Sequence, residues 1–200
     1  GLWRPCRRAA SLMAPMRLRL LGVEHEIADA RDWNHVDWPR LWLYNAHYFD
    51  DLVADDASAR SDWHRELLAR WLRDNPPARG CGWEPYPTSL RIVNWCKWVL
   101  AGNALDAAAR HSLAMQVRQL RRRIEWHLLG NHLWVNAKAL AFAGAFFDGE
   151  EAERWRGEGL ALLKRELAEQ ILPDGGHFER SPMYHAIVLE DVLDLLQLAR

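Results

Sequence analysis

GNHLWVNAKALAFAGAFFDG, residues 130–149, opens on a glycine, carries two polar side chains at its start, runs mainly apolar and stops at Asp148 and Gly149. The pattern predicts a helix from about His132 to Phe147, with Asn131 and His132 at its mouth. A second stretch, PDGGHFERSPMYHAIVLE at residues 173–190, is built alike. Pro173 to Gly176 break the chain, Ser181 reads as an N-cap, Pro182 as the first helical residue, and Tyr184 and His185 follow in the first turn. Polar groups placed where loops meet helices have a common address for binding and catalysis.

Outward from these two stretches the helical pattern recurs. Ser61 reads as the cap of a helix over Asp62 to Arg73, stopped by Asn75, Pro76 and Pro77. A loop rich in Gly, Pro and aromatics covers Ala78 to Pro87, then helices are expected near Thr88 to Ala101, from about Asp106 to Leu129, and from about Glu151 to Leu172. Three successive helical hairpins result, which predicts an all-α chain folded as a partial α/α toroid or a solenoid; the lack of a fixed period argues against a simple repeat array. Residues 1–40 read as a loosely structured N-terminal extension and residues 41–200 as the helical domain. The last helix is still running at Leu195, Leu196 and Leu198 with no Gly, Asn or Pro to end it, so a fragment is expected.

Composition sets the outer limits. With 200 residues, half of them hydrophobic, and a net charge of -1, this is one globular domain's worth of chain with ample core material. Near-neutral charge removes the global argument for a nucleic-acid binder; Arg118, Arg121, Arg122 and Arg123 read as a solvated helix face. Cys6, Cys81 and Cys96 show no zinc-ligand spacing and leave the redox compartment open. No stretch approaches the ~20 apolar residues a membrane span needs. The start, GLWRPCRRAASLMAPMRLRLLG, is too interrupted by Arg and Pro to form a signal-peptide core. It also lacks an initiator methionine, so a leader upstream stays open; a periplasmic or secreted location is expected, with the cytoplasm as the alternative.

The sequence holds 12 tryptophans, whose rings either fill a core or form the flat walls on which sugar rings stack. Trp63, Trp71, Trp95 and Trp98 fall on helical stretches and read as core. Trp83 sits in the loop Gly82-Trp83-Glu84-Pro85-Tyr86, where core and cleft are equally open.

Four blocks carry a resemblance to the heparinase II/III-like polysaccharide lyases and their alginate-lyase relatives: LWLYNAHYFD at 41–50, GWEPYPTSLRIVNWCKW at 82–98, HLLGNHLWVNAKAL at 127–140 and ILPDGGHFERSPMYH at 171–185. The resemblance implies an incomplete α/α toroid lyase domain that in the family precedes a large β-sandwich, the expected partner domain, which often carries a structural metal. No cofactor or metal is expected in this chain itself. It further implies β-elimination from an acidic, uronate-containing polysaccharide. That reaction needs the uronate carboxylate neutralised, a base for the C5 proton and an acid for the departing O4. By the same resemblance Asn131 and His132 form the neutralising group and Tyr184 transfers the proton, while a further histidine comes from the β-sandwich. Trp83, Glu84, Tyr86, His177, Glu179, Arg180 and His185 are the expected substrate contacts.

Each assignment has a plainer counterpart. Asn131 reads equally as a helix cap, His132 as a partly buried first-turn residue and Tyr184 as a packed ring. His185 lies about 100° around the helix from Tyr184 and cannot share its direction. Two other functions stay open: a noncatalytic carbohydrate-binding scaffold, and a glycoside hydrolase using Glu84 and Glu179 as its carboxylate pair.

Overall fold

The computed structural model of the chain describes residues 8–128 and 130–199; Cys6, Leu129 and Arg200 lie outside them. The described chain is mostly α, with seven α-helices and one small sheet. Strands β1 (Leu12–Ala14), β2 (Arg17–Leu20) and β3 (Val23–Glu26) form an antiparallel meander in that order. Leu18 and Leu20 point inward between the exposed Arg17 and Arg19, the two-residue alternation of a half-buried strand. Residues 8–40 therefore depart from the loosely structured extension expected of them. Leu12, Met16, Leu18, Leu20, Ile27 and Trp33 are all buried in the principal core.

One carboxylate fastens this sheet to the helices. Asp51 accepts from the backbone N–H groups of Ser11 (2.6 Å) and Leu12 (2.9 Å), from Arg60 Nε (2.8 Å) and from His64 Nε2 (2.7 Å). Burial by itself raises a carboxyl pKa, but these four donors outweigh it and hold Asp51 down to about 2.

The helices are α1 (Arg40–Ala46), α2 (Ser61–Asp74), α3 (Pro85–Leu100), α4 (Ala107–Arg121), α5 (Gly130–Phe146), α6 (Glu150–Gln170) and α7 (Pro182–Leu198). The Ser181 side chain caps α7 by accepting from Tyr184 N at 3.4 Å. Ser61 instead donates to Ser58 O at 2.7 Å, because a 3-10 turn over Ala57–Arg60 runs straight into α2. α3 starts at Pro85, whose fixed φ suits a first turn. α4 is capped by Asp106 and ends at Arg121, short of the expected Leu129; downstream, the N–H of Glu125 donates to the Asn136 side chain at 2.9 Å.

Helix α5 is the hub. It is buried from Leu133 to Gly144, with α3 and α6 packed against it. A Cβ at Gly159 of α6 would lie 2.6 Å from Ala141 N, and one at Gly144 would collide with the backbone of Arg156, so α5 and α6 meet backbone to backbone. Arg118 pairs with Glu151 (2.6 Å) and Arg121 with Glu158 (2.7 Å), so half of the expected solvated arginine face joins α4 to α6.

Most tryptophans form the core. Trp71 lies among Phe49, Trp83 and Trp95, with ring centroids 6.2, 5.8 and 5.8 Å away, and donates to His47 Nδ1 at 2.9 Å. Burial and then the charge of Arg91 hold the His47 imidazole down to about 3; it is neutral, with Nε2–H donating to Trp33 O at 3.0 Å. Arg91 is itself fully buried, 4.1 Å over the Trp71 ring, and burial pulls its pKa down to about 9.

The joint between α5 and α7 is ionic. Lys138 Nζ donates to Asp191 Oδ1 at 2.5 Å and to Asp194 Oδ2 at 2.6 Å; Lys97 of α3 pairs with the same Asp194, and Trp134 Nε1 donates to Asp191 Oδ2 at 2.8 Å. Burial opposes the Lys138 charge, but Asp191 and Asp194 outweigh it and raise the pKa. Lys97 goes the other way, lowered by burial and by the charge of Lys138.

Two measurements check this account. Lys138→Met strands buried carboxylate charge and is expected to lower the unfolding free energy by about 3 kcal/mol in denaturant titration, whereas Glu158→Ala, at the surface, leaves the midpoint nearly unchanged. Asp51 has a depressed folded pKa, so its contribution is present above 3.8 and is lost as pH falls toward 2. Asp51→Asn is accordingly about 2 kcal/mol less stable than the parent at neutral pH, with the gap closing through that acid window.

Candidate active site

The first turn of α5 gathers the expected groups. Asn131 Nδ2 donates to the phenol oxygen of Tyr86, from the first turn of α3, at 3.4 Å, while Asn131 Oδ1 is buried without a hydrogen-bond partner. The His132 ring lies against the Tyr86 ring, centroids 4.7 Å apart, and its Nδ1 is 3.2 Å from Glu125 Oε2. Asn131, His132 and Tyr86 thus form one cluster, set there because α3 and α5 pack together and both begin at this end. Gly130 adopts φ +49, and a Cβ there would lie 3.9 Å from Glu179 Oε1, which brings the 173–181 loop to the mouth of α5.

Tyr184 is on the same side. It lies near Tyr86, whose phenol is pushed up to about 12 by burial first and then by the neighbouring acidic groups, Asp191 foremost. At neutral pH Tyr86 is therefore a protonated phenol, able to accept from Asn131 but unsuited to act as a base. Next to the cluster is a small cavity of about 170 Å³ with a mixed wall, lined by Tyr86, Lys97, Lys138, Val135 and Asp191 among others.

Other expected contacts lie elsewhere. Trp83 is 3% exposed and donates to Asn75 O at 3.3 Å, so it is a core residue with no face for a ligand. His177 is likewise buried at 3%; it meets Gln170 Oε1 at 3.3 Å and supports the Tyr184 ring, centroids 6.0 Å apart. Loop position left core and cleft equally open for Trp83 and suggested a substrate contact for His177, yet each fills a gap beneath its loop. Glu84 is bonded to Arg40 and Tyr44 and lines a separate hollow of about 520 Å³ with His35 and Trp38. His185 and Arg180 line a third hollow, of about 590 Å³, beside Pro182.

Three residues outside the expected set complete the cluster. Glu125 touches His132, fully buried Asn136 holds Glu125, and Ser89 Oγ accepts from Asn136 Nδ2 at 3.0 Å. Trp126, next in sequence to Glu125, is 51% exposed. The available signal was an acid and an aromatic just ahead of GNH. Among the described residues no group of three His, Cys, Asp or Glu side chains could hold a metal ion, and no helix is long and apolar enough to cross a membrane.

Likeness to known proteins bears on the scaffold as a whole. The chain belongs to the heparinase II/III family: the family model described as Heparinase II/III N-terminus matches residues 55–200. It is similar to the heparin-sulfate lyase of Bacteroides stercoris, 39% identical over 71 residues, which cover 35% of this chain and 11% of that protein. The heparin-sulfate lyases of Bacteroides thetaiotaomicron (38% over 71 residues; 35% and 10%) and Pedobacter heparinus (37% over 62 residues; 30% and 9%) are also similar. The matched stretch spans about a tenth of the length of each relative. No solved structure matches the chain.

The phenol environment has a direct readout. The ultraviolet difference titration between wild type and Tyr86→Phe is expected to show no Tyr86 ionisation below about pH 11; a transition near the ordinary value of 10 contradicts the buried setting.

Proposed function

We propose that this protein is the helical part of a polysaccharide lyase that cleaves an acidic, uronate-containing polysaccharide by β-elimination. The observation that carries the reading is the Asn131–Tyr86–His132 cluster at the mouth of α5, with the Glu179 loop and the start of α7 on the same side. A helix N-terminus is electropositive and presents unpaired N–H groups, so a uronate carboxylate is favoured there. Asn131 supplies a directed donor through Nδ2–H, and His132, in its doubly protonated form, supplies a second through Nε2–H. Neutralising that carboxylate lets the electrons of the C5–H bond be taken into the sugar as the proton leaves.

Tyr184 acts on the reacting bonds. A base removes the C5 proton, the electron pair forms the C4–C5 double bond, and the C4–O4 bond breaks as Tyr184 gives O4 a proton. Trp126, exposed beside Glu125, offers a ring for a neighbouring sugar. A partial α/α toroid, completed by a β-sandwich domain that supplies the remaining cleft wall, and action in the periplasm or outside the cell complete the proposal. The hydrolase alternative is disfavoured by Glu84, whose carboxylate is already bonded to Arg40 and Tyr44.

The test is ultraviolet detection of the unsaturated uronate product from a panel of heparin-like glycans, alginate and bacterial exopolysaccharides, with the protein extended to its natural C-terminus. Tyr184→Phe is expected to lower kcat by about 10²-fold or more while polymer binding persists. Binding without product by the parent on every polymer moves the reading to a noncatalytic scaffold.

A further inference from the structure

We infer that Glu125 is a positioning residue for His132, itself held in place by Asn136. The effect on turnover rests on the lyase reading above; the effect on the imidazole stands on geometry alone. Glu125 lies in the segment between α4 and α5 and is 8% exposed. Both ends of the residue are fixed by one amide: its N–H donates to Asn136 Oδ1 at 2.9 Å, and its Oε2 accepts from Asn136 Nδ2 at 3.2 Å. Asn136 is fully buried in the middle of α5, and its Nδ2 also donates to Ser89 Oγ. A carboxylate secured this way has little freedom to leave.

The same Oε2 faces His132. It sits 3.2 Å from Nδ1, which is buried and has no other hydrogen-bond partner. The contact lacks the alignment of a full hydrogen bond, and active-site contacts of this kind commonly tighten once a ligand binds. An ionised carboxylate can only accept, so the neutral ring carries its proton on Nδ1. The side chain as a whole is 39% exposed while Nδ1 is buried, so the accessible part of the ring lies away from Glu125. Glu125 thereby sets both the tautomer and the direction of His132, as a carboxylate does for the imidazole of an acid–base pair. Tyr86 bounds the ring on another side.

The test uses the full-length chain with 15N-labelled histidine at about pH 8.5, where an imidazole is neutral, and the His132 signals are assigned with His132→Gln. Wild type is expected to show the Nδ1–H tautomer. Glu125→Ala should lose that preference, with kcat on uronate polymer falling about 10²-fold; Glu125→Gln, which keeps an accepting oxygen, should retain the tautomer and part of the activity. A wild-type Nε2–H tautomer, or an unchanged tautomer in Glu125→Ala, overturns the inference whatever the enzyme does. If Glu125→Ala does not fold, the wild-type spectrum alone decides. Absence of product from wild type, with the Nδ1–H signature present, defeats the lyase reading and leaves the positioning role supported.

Discussion

The candidate site depends on one buried ion pair cluster. Lys138 reaches from α5 between Asp191 and Asp194 of α7, and Lys97 of α3 meets Asp194 from the other side. Charges so deeply buried are costly unless paired with good geometry, and removing one member leaves the others exposed to that cost. An apolar contact tolerates sliding; hydrogen-bonded ions do not. The three helices that begin with Tyr86, Asn131 and His132, and Tyr184 are thus fixed in rotation and register from a point about two to three turns deeper in the fold. Trp134 adds a neutral donor to Asp191 and so joins the cluster to the second core.

A comparable device operates at the other end of the chain. Asp51 gathers two backbone N–H groups from the β1 region, Arg60 and His64, so a short sheet that could not stand alone is attached to the first helices. Trp33 and His47 then continue the core toward Trp71. The polar groups around Asp51 serve cohesion.

Much of the helical skeleton was legible because it rests on local signals. Pro182 after Ser181, Asp106 ahead of α4, and the Asp148–Gly149 stop each act within a few residues. The sheet was not: strands of three and four residues give too short an alternation, and their burial comes from helices far along the chain. At the site, the residues of the GNH block and Tyr184 stood out by type and position. Their supports did not, since Glu125–Asn136 spans 11 residues and Lys138–Asp191 spans 53, distances over which sequence spacing carries no geometric message. Trp83 and His177 were placed in loops correctly and yet are buried, because a loop's backbone position says little about where a large ring finds its volume.

Gly144 and Gly159 let α5 and α6 approach so closely that their backbones form a single stiff rib, and α3 braces that rib from the far side. α7 is held less closely: Leu189, Leu193 and Leu196 along it stay open to solvent, and the segment leading into it folds back on the end of α6 through the Ile171–His177 bridge and the Phe178 N–H to Gln170 O bond. Asn131 and His132 therefore ride on an anvil, and Tyr184 rides on the hammer. The gap between them is set through the roughly two turns of α7 that separate Tyr184 from Asp191, its anchor on Lys138.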